Sequence, residues 1–79
     1  MAEDTDSLLT KKKAQLKYNE ILIEKLDEMI EKLRVKKDQE NDITAKAKLG
    51  KDIESKTAMR ESLVGQNKID AQIVLSLMK

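Results

Sequence analysis

The fold of this chain is decided by the stretch LTKKKAQLKYNEILIEKLDEMIEKL, residues 9–33. Leu9, Leu16, Ile23 and Ile30 recur at a strict spacing of seven. They are flanked by Leu8, Leu22 and Met29 one residue earlier and by Leu26 and Leu33 three residues later. Adjacent rows form a wide apolar stripe on one helix, which is typical of a bundle rather than of the narrow seam of a two-stranded coil. The stretch therefore predicts a long helix that needs more than one neighbour.

Composition supports long helices throughout. The 79 residues include no proline and only two glycines, and 39% of them are charged. Tyr18 is the only aromatic residue, so the core must be built from Leu, Ile, Val and Met. A chain of this length forms one small domain with a thin core.

Polar residues predict where the first helix starts and where the chain reverses. Glu3, Asp4 and Asp6 form an acidic cluster that favours a helix start near Ser7. Residues 36–42 contain no apolar side chain and include residues that turn readily. We therefore predict one hairpin domain over residues 1–79, with arms at about 6–38 and 42–78 and a turn at about 36–42.

The second arm has a weaker pattern than the first. Its stripe is interrupted by Lys56, Arg60 and Asn67. A glycine inside a helix costs about 1 kcal/mol relative to alanine, so this arm can bend or break at Gly50 or Gly65. The sequence favours Gly50, where a C-capping glycine precedes Asp52 as an N-cap. The stripe comprises Ala45, Leu49, Ile53, Leu63, Val64, Ala71, Val74 and Met78.

These patterns predict an all-α fold, an antiparallel two-helix hairpin that resembles a coiled coil and belongs to an oligomeric or hetero-complex bundle. No turn compatible with a β hairpin competes with this interpretation. The predicted hairpin core consists of Leu16, Ile23, Leu26, Ile30, Leu33, Leu49, Ile53 and Leu63.

The end of the second arm is apolar on two sides. Ile69, Ile73 and Leu77 follow one another at intervals of four. Such a strip on a small domain usually meets another protein, although a third internal layer is the alternative. We expect a protein partner or a second copy to bind Ile69, Ile73, Leu77 and Met78.

Residue types exclude most enzyme chemistry. Cysteine and histidine are both absent, which removes the usual zinc and iron–sulfur ligands and every histidine-dependent catalytic pair. Carboxylate pairs such as Glu20 with Glu24, and Asp27 with Glu31, fall away from the apolar stripe and are assigned to solvation. We expect no enzyme, no catalytic residue, no cofactor, no metal and no small-molecule substrate.

The charge balance gives no strong field of one sign. Sixteen basic and fifteen acidic side chains leave a net charge of +1, which argues against nucleic acid and membrane partners. No apolar run approaches the roughly 20 residues of a membrane span, and residues 1–6 are acidic, unlike a signal peptide. The expected location is cytoplasmic. The alternative function is a dimeric nucleic-acid-binding bundle that aligns two basic clusters, Lys11 to Lys13 and Arg34 to Lys37.

Residues 67–74 read NKIDAQIV, and the chain ends with Met78 and Lys79. This segment resembles the C-terminal helix of type III secretion needle subunits, which are helical hairpins of similar length. The chain also resembles the small helical-hairpin cochaperones of the same apparatus. The proline of the needle family's interhelical loop is absent from residues 36–42. The leading hypothesis is a non-enzymatic protein interaction module, acting as an assembly subunit or as a small chaperone for a helical partner.

Overall fold

A computed structural model describes residues 4–79 as a hairpin of two long helices. Helix α1 is Thr5–Gln39 and helix α2 is Ile43–Leu77. Residue 12 meets residue 70 near the open end, and residue 27 meets residue 60 nearer the turn, so the helices are antiparallel. The all-α hairpin is therefore confirmed. It is a rod of 59 × 21 × 14 Å, and its radius of gyration is 17.8 Å, against about 12 Å for a compact domain of this length.

The helix ends explain the bounds. Asp4 is the N-cap of α1, and its carboxylate accepts a hydrogen bond of 3.4 Å from the Asp6 backbone N–H. Glu3, part of the predicted start, lies outside the described residues. Helix α1 continues through residues 36–39, so the connection is only residues 40–42. There the Glu40 carboxylate accepts from the Asp42 N–H at 3.0 Å, and Asp42, the N-cap of α2, makes no side-chain cap bond.

The break expected at Gly50 is absent, and that prediction is wrong. Helix α2 runs without interruption through Gly50 and Gly65, and neither glycine has a positive φ. A cost of about 1 kcal/mol at each glycine is small beside the packing of a long helix against its neighbour. Gly50 also lies close to α1, since a Cβ there would come within 3.4 Å of the Lys37 Nζ.

Most of the buried and half-buried residues follow each other at alternating intervals of three and four along both helices. This 3.5-residue period is that of a coiled coil and defines one seam. On α1 the seam contains Leu9, Lys12, Leu16, Asn19, Ile23, Leu26, Ile30, Leu33 and Lys37. On α2 it contains Leu49, Ile53, Lys56, Arg60, Leu63, Asn67, Asp70, Val74 and Leu77.

The seam holds the whole predicted core, but the core is small. Leu26 and Ile30 are buried, and the other six predicted core residues are half-buried at seam positions. Val74 is the third buried apolar residue of residues 4–79. Lys56, Arg60 and Asn67, expected as interruptions, are themselves half-buried seam residues. Neither helix is long and apolar enough to cross a membrane.

Candidate protein-binding face

The seam has two sides, and a groove runs between the helices on each of them. The residues that line a groove share one side of the seam. One groove is lined by Lys36 of α1 and Asp52 of α2. A groove on the other side is lined by Asp27 and Thr57. The 3.5-residue period holds along both helices, so residues spaced by seven lie in one row on one side of the seam. The rows of Lys36 and Asp52 therefore lie on one side, and the rows of Asp27 and Thr57 lie on the other.

The side that holds Lys36 and Asp52 is largely apolar. Its rows also contain Gln15, Gln66 and Ala45, and the larger apolar members form what we call the apolar face: Leu8, Leu22, Met29, Met59 and Ile73. Met59 keeps 54% of its surface exposed, Met29 is also exposed, and Leu8, Leu22 and Ile73 are half-buried. The hairpin therefore leaves a strip of aliphatic and thioether side chains partly open to solvent along one side.

The apolar face has two different rims. On the α1 rim, Tyr18 is 58% exposed and shares a heptad row with Lys25 and Lys32. On the α2 rim, Ile69 is 55% exposed. The other members of its row are polar and mostly small: Lys48, Ser55, Ser62 and Ser76. The face is thus bordered by lysines on one edge and mainly by serines on the other.

The opposite side of the seam has another character. Its α1 row is fully charged: Lys13, Glu20, Asp27 and Arg34. One of these, Asp27, accepts a hydrogen bond from the Arg60 Nε across the seam. The α2 row of this side is not charged, since it contains Thr57, Val64 and Ala71, and the last two are half-buried. The two sides therefore differ mainly in their α1 rows and in the exposed methionines of the apolar face. Exposed apolar strips with polar rims usually mark protein-binding surfaces, which makes the apolar face the candidate site.

A layer of polar side chains crosses the seam next to the apolar face. Asp70 is 1% exposed and Asn19 is 2% exposed. The Asp70 carboxylate accepts from Lys12 Nζ at 3.4 Å and from Gln66 Nε2 at 3.2 Å. Asn19 Oδ1 accepts from Gln15 Nε2 at 2.9 Å. With Asn67, these residues form the polar layer of the hairpin.

Asn67 is the incompletely satisfied member of the polar layer. Its Nδ2 donates to the Leu16 carbonyl oxygen at 3.4 Å, whereas its buried Oδ1 has no hydrogen-bond partner. A buried acceptor without a partner costs about 1 to 3 kcal/mol. Polar residues at coiled-coil seams reduce stability in this way, but they specify register and partner number.

The structure separates the four residues expected to bind a partner. Ile69 and Ile73 belong to the apolar face or its rim, Leu77 is half-buried in the seam, and exposed Met78 lies on the charged side. Each step of four residues turns about 40° around a helix, so a row spaced by four drifts. From Ile69 to Leu77 the drift is about 80°, enough to carry the row from the rim into the seam.

Sequence reasoning missed Asn19, Asp70 and Met59. The seam positions of the two polar residues follow from the spacing of three and four, which continues through polar positions of both helices. Met59 stands between Ala58 and Arg60, so no large apolar neighbour draws attention to it. Met59 can be recognised as part of the apolar face only when the seam positions are known, because they place it in the row of Ile73.

The remaining candidate sites receive little support from the geometry. Within residues 4–79, no group of acidic side chains is arranged to hold a metal ion. The two basic clusters are spread over three heptad rows each, with Lys12 bound to Asp70 and Lys37 in the seam. The lysines and arginine of these clusters therefore do not form one continuous strip on the hairpin.

No protein-family model matches this chain, and no curated protein or solved structure is significantly similar to it.

Proposed function

We propose that this chain is a non-enzymatic protein interaction module that packs its apolar face against a helical partner or against copies of itself. It acts as an assembly subunit or as a small chaperone that holds a helical client. The observation that carries the proposal is the partly exposed strip of Leu8, Leu22, Met29, Met59 and Ile73 along one side of the rod.

The thin core supports the same proposal. Three apolar side chains are buried between the two helices over residues 4–79. Ordering a chain costs about 1.5 kcal/mol per residue, which a two-helix seam offsets poorly. A partner on the apolar face would add burial that the hairpin lacks. Association is thus expected to stabilise the fold as well as to serve the function.

The setting of this function is also a proposal. The resemblance of residues 67–74 to needle subunits, and of the chain to their cochaperones, supports a role in a secretion apparatus. A cytoplasmic location is part of this proposal, and fractionation of cells that express the chain tests it.

The proposal is tested by comparing the wild-type chain with a variant of the apolar face. Met59→Asp places a charge in the strip, whereas Leu75→Asp places one at a 62% exposed position on the back of α2. We expect Leu75→Asp to keep, and Met59→Asp to lose, both self-association and specific capture of a protein partner. A helical wild-type monomer that binds nothing, or binding that survives Met59→Asp, contradicts the proposal.

The alternative is a dimeric bundle that binds nucleic acid through the clusters around Lys12 and Lys37. It has less support, because Lys12 is engaged by the Asp70 carboxylate and Lys37 is half-buried beside Gly50. Its test is binding at low ionic strength, with an affinity that must fall steeply as salt is added.

A further inference from the structure

We infer that the occupant of the apolar face is a helix of another protein that carries an apolar stripe with an acidic flank. This inference rests on the proposed function and narrows the partner to one chemical class. Two observations support it: unpaired lysines stand beside the apolar side chains, and they border a groove that suits a helix.

Four exposed lysines stand beside the apolar side chains: Lys25 and Lys32 on the α1 rim, Lys36 in the face itself and Lys48 on the α2 rim. None of the four forms an ion pair with any residue of the described part of the chain. Within α1 and α2, the rows of the face and its rims contain one acidic residue, Asp52. This side of the hairpin therefore combines apolar groups with an excess of positive charge, which an acidic partner complements.

The acidic side chains nearest in sequence point away from this face. Glu24 and Glu31 directly precede Lys25 and Lys32, and a step of one residue turns about 100° around a helix. Glu31 accordingly lines the groove on the opposite side of the seam. Glu28 stands in the row outward of the α1 rim and pairs with neither lysine. The chain has a net charge of only +1, but its charges are segregated, so an acidic segment is attracted to the apolar face rather than to the opposite side.

The shape of this side suits a helix. The apolar rows of α1 and α2 flank a groove, and in helical bundles such a groove receives the side-chain ridge of a further helix. Near the turn the groove has a volume of about 440 Å³, and its lining includes Ala45 and Leu49 together with Lys36 and Lys48. The exposed methionines, such as Met59, have flexible side chains that adapt to the shape of a partner. A helix with an apolar stripe can therefore fill the groove while its acidic flank meets the lysines.

Charge makes a second copy the weaker occupant. It carries the same four lysines beside its own apolar face, so two such faces bring like charges together. Self-association through the apolar face should therefore strengthen as salt screens the lysines, whereas binding of an acidic helix should weaken.

An anionic lipid surface shares the negative charge but fits the face less well. Membrane-surface helices insert Trp, Phe and Leu side chains into the lipid. Tyr18 is the only aromatic residue of this chain, and Leu8 and Leu22 are already half-buried in the hairpin. The structure therefore favours the acidic helix over the membrane.

Two synthetic peptides test the charge preference. Each is about 21 residues long, roughly 30 Å of helix, and repeats leucine at heptad positions a and d. One peptide has glutamate at positions e and g, and the other has lysine there. Fluorescence anisotropy of the labelled peptides with the full wild-type chain measures binding. We expect the glutamate peptide to bind about tenfold more tightly than the lysine peptide at low salt, and its affinity to fall as salt is added.

Charge reversal locates the binding. Lys25→Glu/Lys32→Glu is expected to raise the dissociation constant of the glutamate peptide about tenfold and to tighten binding of the lysine peptide. Lys13→Glu/Lys17→Glu makes the same change in net charge on the opposite side of the seam, and should leave both constants within about twofold. All four lysines are exposed, so circular dichroism should show that both variants keep their helicity.

The outcomes separate this inference from the proposed function. The inference is overturned if the glutamate peptide does not bind, if the two peptides bind equally, or if Lys25→Glu/Lys32→Glu leaves binding of the glutamate peptide unchanged. If neither peptide binds but sedimentation shows self-association that Met59→Asp abolishes, a second copy is the occupant and the proposed function stands. If vesicles that contain phosphatidylserine bind the chain and no protein does, the face binds lipid and the proposed function fails as well.

Discussion

Asp70 places a carboxylate in the seam with 1% of its surface exposed. Lys12 and Gln66 supply its hydrogen bonds, and Lys12 also supplies the compensating charge. Removing one partner of a buried charge pair costs more than removing both, because the remaining charge loses its compensation in a medium of low polarity. We therefore expect the loss of Lys12 alone to destabilise the hairpin more than the replacement of both residues by apolar ones.

Lys12→Met should lower the free energy of unfolding by about 1 to 3 kcal/mol, because the Asp70 carboxylate would keep only its bond from Gln66. Lys13→Met, the same change at an exposed neighbour, should have an effect within about 0.5 kcal/mol. Urea titrations followed by circular dichroism at one protein concentration measure both. The double variant Lys12→Met/Asp70→Leu should recover most of the loss, and equal effects of the two lysine variants would show that Asp70 does not depend on Lys12.

Asn67→Leu should have the opposite sign. The substitution removes an acceptor that is buried without a partner and gives up a single bond of 3.4 Å to a backbone carbonyl. We expect the free energy of unfolding to rise by about 1 kcal/mol. Gln72→Leu, the same chemical change at an exposed position of α2, should leave stability within about 0.5 kcal/mol. A less stable Asn67→Leu variant would mean that Oδ1 has a partner in solution.

At the scale of the elements, α1 was predictable because Leu9, Leu16, Ile23 and Ile30 repeat at the period of the seam itself. Helix α2 was harder, because four of its nine seam positions, including Lys56 and Arg60, are polar. Hydrophobicity alone treats such residues as gaps in a stripe. Their place in the seam depends on partners from α1, such as Asp27 for Arg60, which lie far away in sequence.

The candidate site was predictable in part for the same reason. Ile69 and Ile73 stand out in the sequence and lie at the apolar face or its rim. Leu77 and Met78 could not be assigned correctly without the seam, because a row spaced by four drifts around the helix. The rows of Leu22 and Ile73, on different helices, share a side only because of the antiparallel pairing.

Gly65→Ala should stabilise the hairpin by about 0.5 to 1 kcal/mol, because alanine is the better helix former and an added Cβ would meet nothing within 4 Å. The shift of the urea midpoint measures this gain. Gly50→Ala provides the comparison, and its gain should be no larger, since its Cβ would touch Lys37 at 3.4 Å. A Gly65→Ala variant that is more stable as a monomer but fails to associate would move the interface to the outer surface of α2.

At the scale of the whole molecule, stability and association are coupled. A rod with this thin core gains stability whenever its apolar face is covered, so the melting temperature should depend on protein concentration. A tenfold increase in concentration contributes about 1.4 kcal/mol per dimer, or half of that per chain. For a chain of this length that corresponds to a rise in Tm of about 3 to 6 °C.

Ile73→Asp should abolish this dependence, because it places a charge in the apolar face opposite the α1 row that contains Leu8. Ile73 is only half-buried in the single hairpin, so helicity at high concentration should fall much less than association does. Leu75→Asp, at a 62% exposed position on the back of α2, should keep the rise in Tm. Calorimetry over a hundredfold range of concentration separates the variants. If Ile73→Asp unfolds the chain while association persists, Ile73 belongs to the internal core, and the interface must be assigned to the row of Leu8, Leu22 and Met29 without it.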